Sequence, residues 1–175
     1  MMRISRLGGA LLLAALVGCP GDSSTPTGPG KDQGPSKSLS AASTALITCP
    51  APAAQASTGL IGPLGGVLAV GGVRVIVPVN AVLAPTSFTL TVPASDYLEI
   101  DVKAGDADHF VFARPVIVAI DYGRCGLPRF HSALSAWNID PDTKALLEEM
   151  PSVDSQLTQT IIFSTIHFSG YAVAD

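Results

Sequence analysis

The sequence predicts an all-β protein, an antiparallel β-sandwich of short strands, and three observations carry the prediction. From Leu60 onward, β-branched and aromatic runs recur about every ten residues, cut by Gly, Pro, Asp and Asn, which is the rhythm of sandwich strands and their turns. Phe88, Leu90 and Val92 alternate with Ser87, Thr89 and Thr91, giving one apolar and one polar face. No segment carries a convincing helical apolar period.

Taken in order, the expected strands are 44–49, 66–70, 73–77, 87–92, 97–102, 109–112, 116–122, 133–139, 145–149, 157–164 and 170–174. Residues 50–58, composed of Ala, Pro, Ser and Gln, are expected to form an irregular connection. Gly71-Gly72 permits the positive φ of a tight hairpin between the second and third strands. Asp140-Pro141-Asp142 presets a type I turn between Ile139 and Leu146. The 145–149 segment reads as a strand or as a single helical turn, because Ala, Leu and Glu favour helix. Pro151 ends it in either case by withholding a donor. Trp137, the only tryptophan, is expected to anchor the core.

Ahead of this domain the composition changes twice. Arg3 and Arg6 precede a short apolar run, Leu11 to Val17, in the pattern of a secretory signal too short to span a bilayer. The residues that end it, Leu16-Val17-Gly18-Cys19, resemble the bacterial lipobox. The resemblance implies removal of residues 1–18, lipidation of Cys19 and a membrane partner through that anchor, in the cell envelope of a bacterium, with the inner or outer membrane left open. An uncleaved anchor and a plain secretory signal are the alternatives. Residues 19–43 follow, rich in Gly, Ser, Thr and Pro, a composition unable to bury enough surface to fold and suited to a disordered tether. The domain boundaries are therefore 1–18, 19–43 and 44–175.

Roughly 130 residues remain for folding, enough for one domain with its own core. Charged residues make up only 14% of the chain, so the structure depends on burial. Without Arg3 and Arg6 the chain holds eight basic and fourteen acidic residues, a formal charge of −6. An acidic chain lacking a Lys/Arg cluster does not have the electrostatic footprint of nucleic-acid binding, and it offers little to anionic lipid. No cofactor motif is legible. With Cys19 consumed by lipid, Cys49 and Cys125 are left as a disulfide pair suited to an oxidising compartment, or as two free thiols.

A family resemblance accompanies these features. Leu60-Ile61-Gly62-Pro63-Leu64-Gly65-Gly66-Val67-Leu68, then Val73-Arg74-Val75-Ile76-Val77-Pro78-Val79-Asn80-Ala81-Val82, then Thr86-Ser87-Phe88-Thr89-Leu90 resemble the opening half of a ZU-five domain, the domain shared by zonula-occludens proteins, uncoordinated-five receptors and ankyrins. The resemblance implies a β-sandwich acting as a non-catalytic structural or protein-interaction module, here with a partner in the cell envelope. Asn80 stands where the family's corner carries glycine. It is the non-glycine residue that best tolerates left-handed backbone.

One triplet offers chemistry. His167-Phe168-Ser169 resembles the site at which some ZU-five proteins cut themselves, which implies attack of Ser169 Oγ on the Phe168 carbonyl with His167 accepting the proton. The alternative is a turn with Phe168 in the core and Ser169 bonded to local backbone. A third reading, a calcium- or carbohydrate-binding surface module, rests on Asp101, Asp106 and Asp108 as oxygen ligands, although their spacing matches no calcium loop and suits solvated turns. His109 and His131 lack partners at zinc spacing.

Overall fold

The computed structural model describes residues 44–107 and 109–175. Its strands are β1 (Gln55–Ile61), β2 (Gly66–Val70), β3 (Val73–Val77), β4 (Thr86–Val92), β5 (Glu99–Ala104), β6 (Phe110–Asp121), β7 (Ser135–Ile139), β8 (Leu146–Met150), β9 (Ser152–Ser155), β10 (Thr160–Phe168) and β11 (Gly170–Ala174). They form two antiparallel sheets, ordered β1-β4-β5-β11-β7-β8 and β2-β3-β6-β10-β9. The sheets pack as a sandwich. No α-helix occurs among the described residues.

The period-two pattern decides which residues meet between the sheets. Phe88, Leu90, Val92, Ile100, Val102, Tyr171 and Val173 line one inner face, and Leu68, Val75, Val118, Ile120, Ile161 and Phe163 line the other, all buried. Phe88, Phe110, Phe112 and Phe168 interlock at one end, with the Phe112 and Phe168 ring centroids 4.4 Å apart and edge-to-face. Such pairs add to the gain from area burial alone.

Turn chemistry behaves as the residues require. Gly71 and Gly72 have φ of 57° and 81° in the β2–β3 hairpin, and Asn80 sits at 62° in the corner after β3. Asp140 closes the β7–β8 loop: its carboxylate accepts from the amides of Asp142 (2.9 Å) and Thr143 (2.8 Å), while the Lys144 amide donates to its carbonyl at 2.9 Å. That last bond spans four residues, so the loop is one residue wider than a type I turn.

Several expectations need correction. Residues 50–58 are not wholly irregular, because β1 begins at Gln55 and pairs with β4 along its length. Its Ala, Ser and Gly content gives no strand signal, and cross-strand pairing overrides that weak preference. The 44–49 segment forms only the isolated bridges Leu46↔Ala174 and Thr48↔Tyr97. The expected strands at 109–112 and 116–122 are one strand, β6, which carries Pro115 at an irregularity where Thr165 faces Val116 but His167 faces Val111. Proline is tolerated in a sheet at such a bulge. The 145–149 segment is a strand, not a helical turn. Pro151 ends β8, as expected, but no turn follows: the chain changes sheet there and resumes at once as the short edge strand β9. Trp137 is only half-buried, on the outer face of its sheet, where it pairs with Ala172 and Glu149.

Candidate functional site

β10 belongs to one sheet and β11 to the other, so Ser169 between them is the point where the chain crosses the sandwich. The inward phase of β10 runs Ile161, Phe163, Thr165, and the inward phase of β7 includes Ala136 and Asn138. Two polar side chains are thus delivered into an apolar interior beside the crossing. Burying a hydroxyl or amide is costly unless its hydrogen bonds are made. Here they are made to one another and to the crossing backbone.

Tyr171, fully buried, is the hub. Its hydroxyl donates to the His167 carbonyl at 2.5 Å and lies 2.9 Å from Thr165 Oγ1 and 3.2 Å from His167 Nδ1. Thr165 Oγ1 donates to the same carbonyl at 3.0 Å and accepts from the His167 amide at 3.2 Å. Asn138 Nδ2 donates to Ser169 Oγ and, at 3.4 Å, to the Gly170 carbonyl. Burial pushes the Tyr171 phenol above its ordinary value, while bonds to Thr165, Ser169 and Asn138 oppose that shift. A Cβ at Gly170 would lie 3.2 Å from the Ile139 carbonyl oxygen, so glycine lets β11 approach β7. An open groove of about 400 Å³, lined by Pro115, Glu148, Met150, Ser164, Thr165, Ile166 and His167, lies beside the crossing.

The sequence-derived triplet is therefore contiguous with a polar network, but its members have separate partners. Phe168 is fully buried in the aromatic cluster. Ser169 bonds to the Asn138 side chain, where local backbone was expected. His167 faces Tyr171, and its ring stacks on His109 with centroids 5.7 Å apart. Among the described residues no hydrogen bond joins His167 to Ser169. The arrangement fixes the path of the crossing peptide.

The other candidates scatter. Cys19 and Asp108 lie outside the described residues. Asp101 is on β5, with an oxygen 4.0 Å from Lys103 Nζ, and Asp106 is in the exposed turn that follows. Among the described residues no cluster of three His, Cys, Asp or Glu side chains is placed to hold a metal. His131 lies far along the chain on the β6–β7 loop, its Nδ1 2.6 Å from the Ser132 carbonyl and its ring edge-to-face with Tyr122. Tyr122 donates to Asp154 at 2.6 Å; burial, that bond and the Asp154 charge all raise its phenol well above the ordinary range.

Cys49 and Cys125 are brought together and bonded, with Cα atoms 4.3 Å apart. Their bridge ties the 44–49 segment to the 3-10 turn Gly123–Cys125 that opens the β6–β7 loop. Sequence reasoning missed Asn138, Thr165 and Tyr171. A signal existed for two of them, since Asn138 and Thr165 are polar residues at inward positions of alternating strands. No protein-family model matches the chain, and no curated protein is significantly similar to it.

Proposed function

We propose that the chain is an exported bacterial lipoprotein, held to a membrane of the cell envelope through acylated Cys19, whose ZU-five-like sandwich serves as a non-catalytic structural or protein-interaction module. The Cys49–Cys125 bond carries this reading. Disulfides persist in oxidising compartments and are rare where glutathione keeps thiols reduced. The pairing also leaves Cys19 as the third cysteine, at the end of a signal-like segment. Support for the ZU-five likeness comes from Asn80, whose φ of 62° suits a position where that family's corner carries glycine. The non-catalytic part is supported by the crossing, whose polar groups satisfy the backbone and each other.

Fractionation of cells producing the native chain or Cys19→Ala tests the reading. The native protein is expected in the membrane fraction, released by detergent and not by salt, and the variant is expected to lose its acyl mass. Native protein that stays in the soluble cytosolic fraction overturns the proposal. The same samples on a denaturing gel are expected to show one chain. A fragment ending at Phe168, abolished by Ser169→Ala, assigns self-cleavage instead.

A further inference from the structure

We infer that the outer face of the five-stranded sheet is a homodimer interface, packed face to face against the same face of a second copy of the chain. The inference rests on the sandwich and not on the anchor at Cys19.

The two sheets differ in what they present outward. The six-stranded sheet shows rows such as Thr58, Thr89 and Lys103, in register across β1, β4 and β5, as expected of a sheet with one face in the core and the other in water. The five-stranded sheet does not. One outer row runs Val67, Ile76 and Ile117 across β2, β3 and β6, and the next runs Arg74, Ala119, Ile162 and Val153 from β3 to β9. Val67 is 58% exposed, Ile117 45% and Val153 67%. The sequence matches: Val75-Ile76-Val77, Val116-Ile117-Val118-Ala119-Ile120 and Ile161-Ile162-Phe163 are unbroken apolar runs, the pattern of strands covered on both faces. A contiguous apolar face of this kind marks an interaction surface.

Size, symmetry and charge identify a second copy as the occupant. A strand spacing of about 4.8 Å and a rise of about 3.3 Å per residue give the five strands a flat area of roughly 550 Å². Side chains standing off that plane bring the covered surface near the roughly 800 Å² per partner of a stable interface. β6 is the central strand, so a two-fold axis near it lays the face on itself with the apolar rows buried, as an isologous contact requires. The charges also balance. Arg74 lies in the second row, and Asp121, exposed and in the same phase as Ile117, begins the row beyond, so a copy of the face offers each a counter-charge. A strongly acidic or basic partner would repel one of the two. Residues 20–43 are no substitute for a copy, because Leu39 is their one large apolar residue.

The test begins with cysteine at the centre of the face. In cells making the full chain, Ile117→Cys treated with a short bismaleimide is expected to give a bridged dimer on a denaturing gel, and Thr89→Cys, on the polar outer face, is expected to stay monomeric. The native chain, purified in density-matched detergent, is expected to sediment at twice the mass of one polypeptide at about 50 μM, since interfaces of this size bind in the micromolar range or tighter. Ile117→Glu is expected to weaken that dimer about a hundredfold or more, because each copy then buries an unpaired charge. Ile117→Thr, which keeps strand preference, is expected to weaken it about tenfold, and Thr89→Glu to leave it unchanged. A monomeric native chain, an Ile117→Cys chain bridged only to another protein, or equal bridging of Ile117→Cys and Thr89→Cys overturns the inference. So does a dimer that both Ile117→Glu and Ile117→Thr leave intact. A monomer whose mass includes acyl chains defeats the dimer and leaves the anchor standing.

Discussion

The two ends of the sandwich are held by different chemistry. At one end the Cys49–Cys125 bond joins segments separated by 76 residues. At the other, Tyr171, Thr165 and Asn138 hold the β10–β11 crossing by hydrogen bonds alone. The covalent staple acts largely by restricting the unfolded chain. The polar network acts only in the folded state and only when every member is present, since a buried group left without its partner costs its full desolvation. The staple should thus fail on reduction and the crossing on single substitutions, while each end also holds a buried phenol, Tyr171 at the crossing and Tyr122 beside the staple.

The largest expected effect comes from the staple. The pair Cys49→Ser and Cys125→Ser is expected to lower stability by about 4 kcal/mol, read by urea unfolding against the parent. Adding reductant should lower the parent to the level of the variant and leave the variant unchanged. A midpoint unaltered by reductant would mean that the staple contributes nothing and that the comparison of ends fails.

At the crossing, Tyr171→Phe removes one hydroxyl that serves the His167 carbonyl and faces Thr165. The expected cost is about 1–3 kcal/mol, the penalty for unsatisfied buried groups. Both Tyr171 and Tyr122 bind their protons more tightly folded than unfolded. Their contribution is therefore complete below the unfolded phenol value of about 10 and is lost as pH rises above it. Alkaline titration of stability should show this decline, and Tyr171→Phe should make it shallower, leaving the share that Tyr122 supplies. An identical alkaline slope in the variant would show that the buried phenol is not linked to folding.

The smallest effect belongs to the β7–β8 loop. Backbone bonds from Thr143 and Asp142 hold the exposed Asp140 carboxyl below its ordinary value. A group depressed in the folded state contributes above its unfolded value, about 3.9, and loses that contribution as pH falls through the folded value. Asp140→Asn should therefore differ from the parent near neutral pH and converge with it on acidification. Measured curves that stay parallel would assign the loop's closure to backbone geometry alone.

Legibility in the sequence follows the same division between ends. The alternation of Phe88, Leu90 and Val92, the Gly71-Gly72 hairpin and the last strand are local patterns, and each appears in the structure where the pattern puts it. The cysteine pairing was legible from a count of three together with a use for one of them. β1 escaped because Gln55–Ile61 gains its strand character only from β4. β9 escaped because four residues after a proline carry no period. At the crossing the triplet His167-Phe168-Ser169 was visible, but the groups that govern it were not. Asn138 lies 31 residues before Ser169 and reaches it only because β7 pairs with β11. Single-chain periodicity reports a face, and inter-sheet neighbours need the register.

Intact mass of the native protein, isolated without reductant and treated with a thiol-alkylating reagent, tests the central claim most directly. The account predicts one polypeptide beginning at Cys19, heavier by its acyl chains, lighter by two hydrogens for the Cys49–Cys125 bond, and taking up no alkyl group. An unmodified chain beginning at Met1 that takes up three alkyl groups contradicts it.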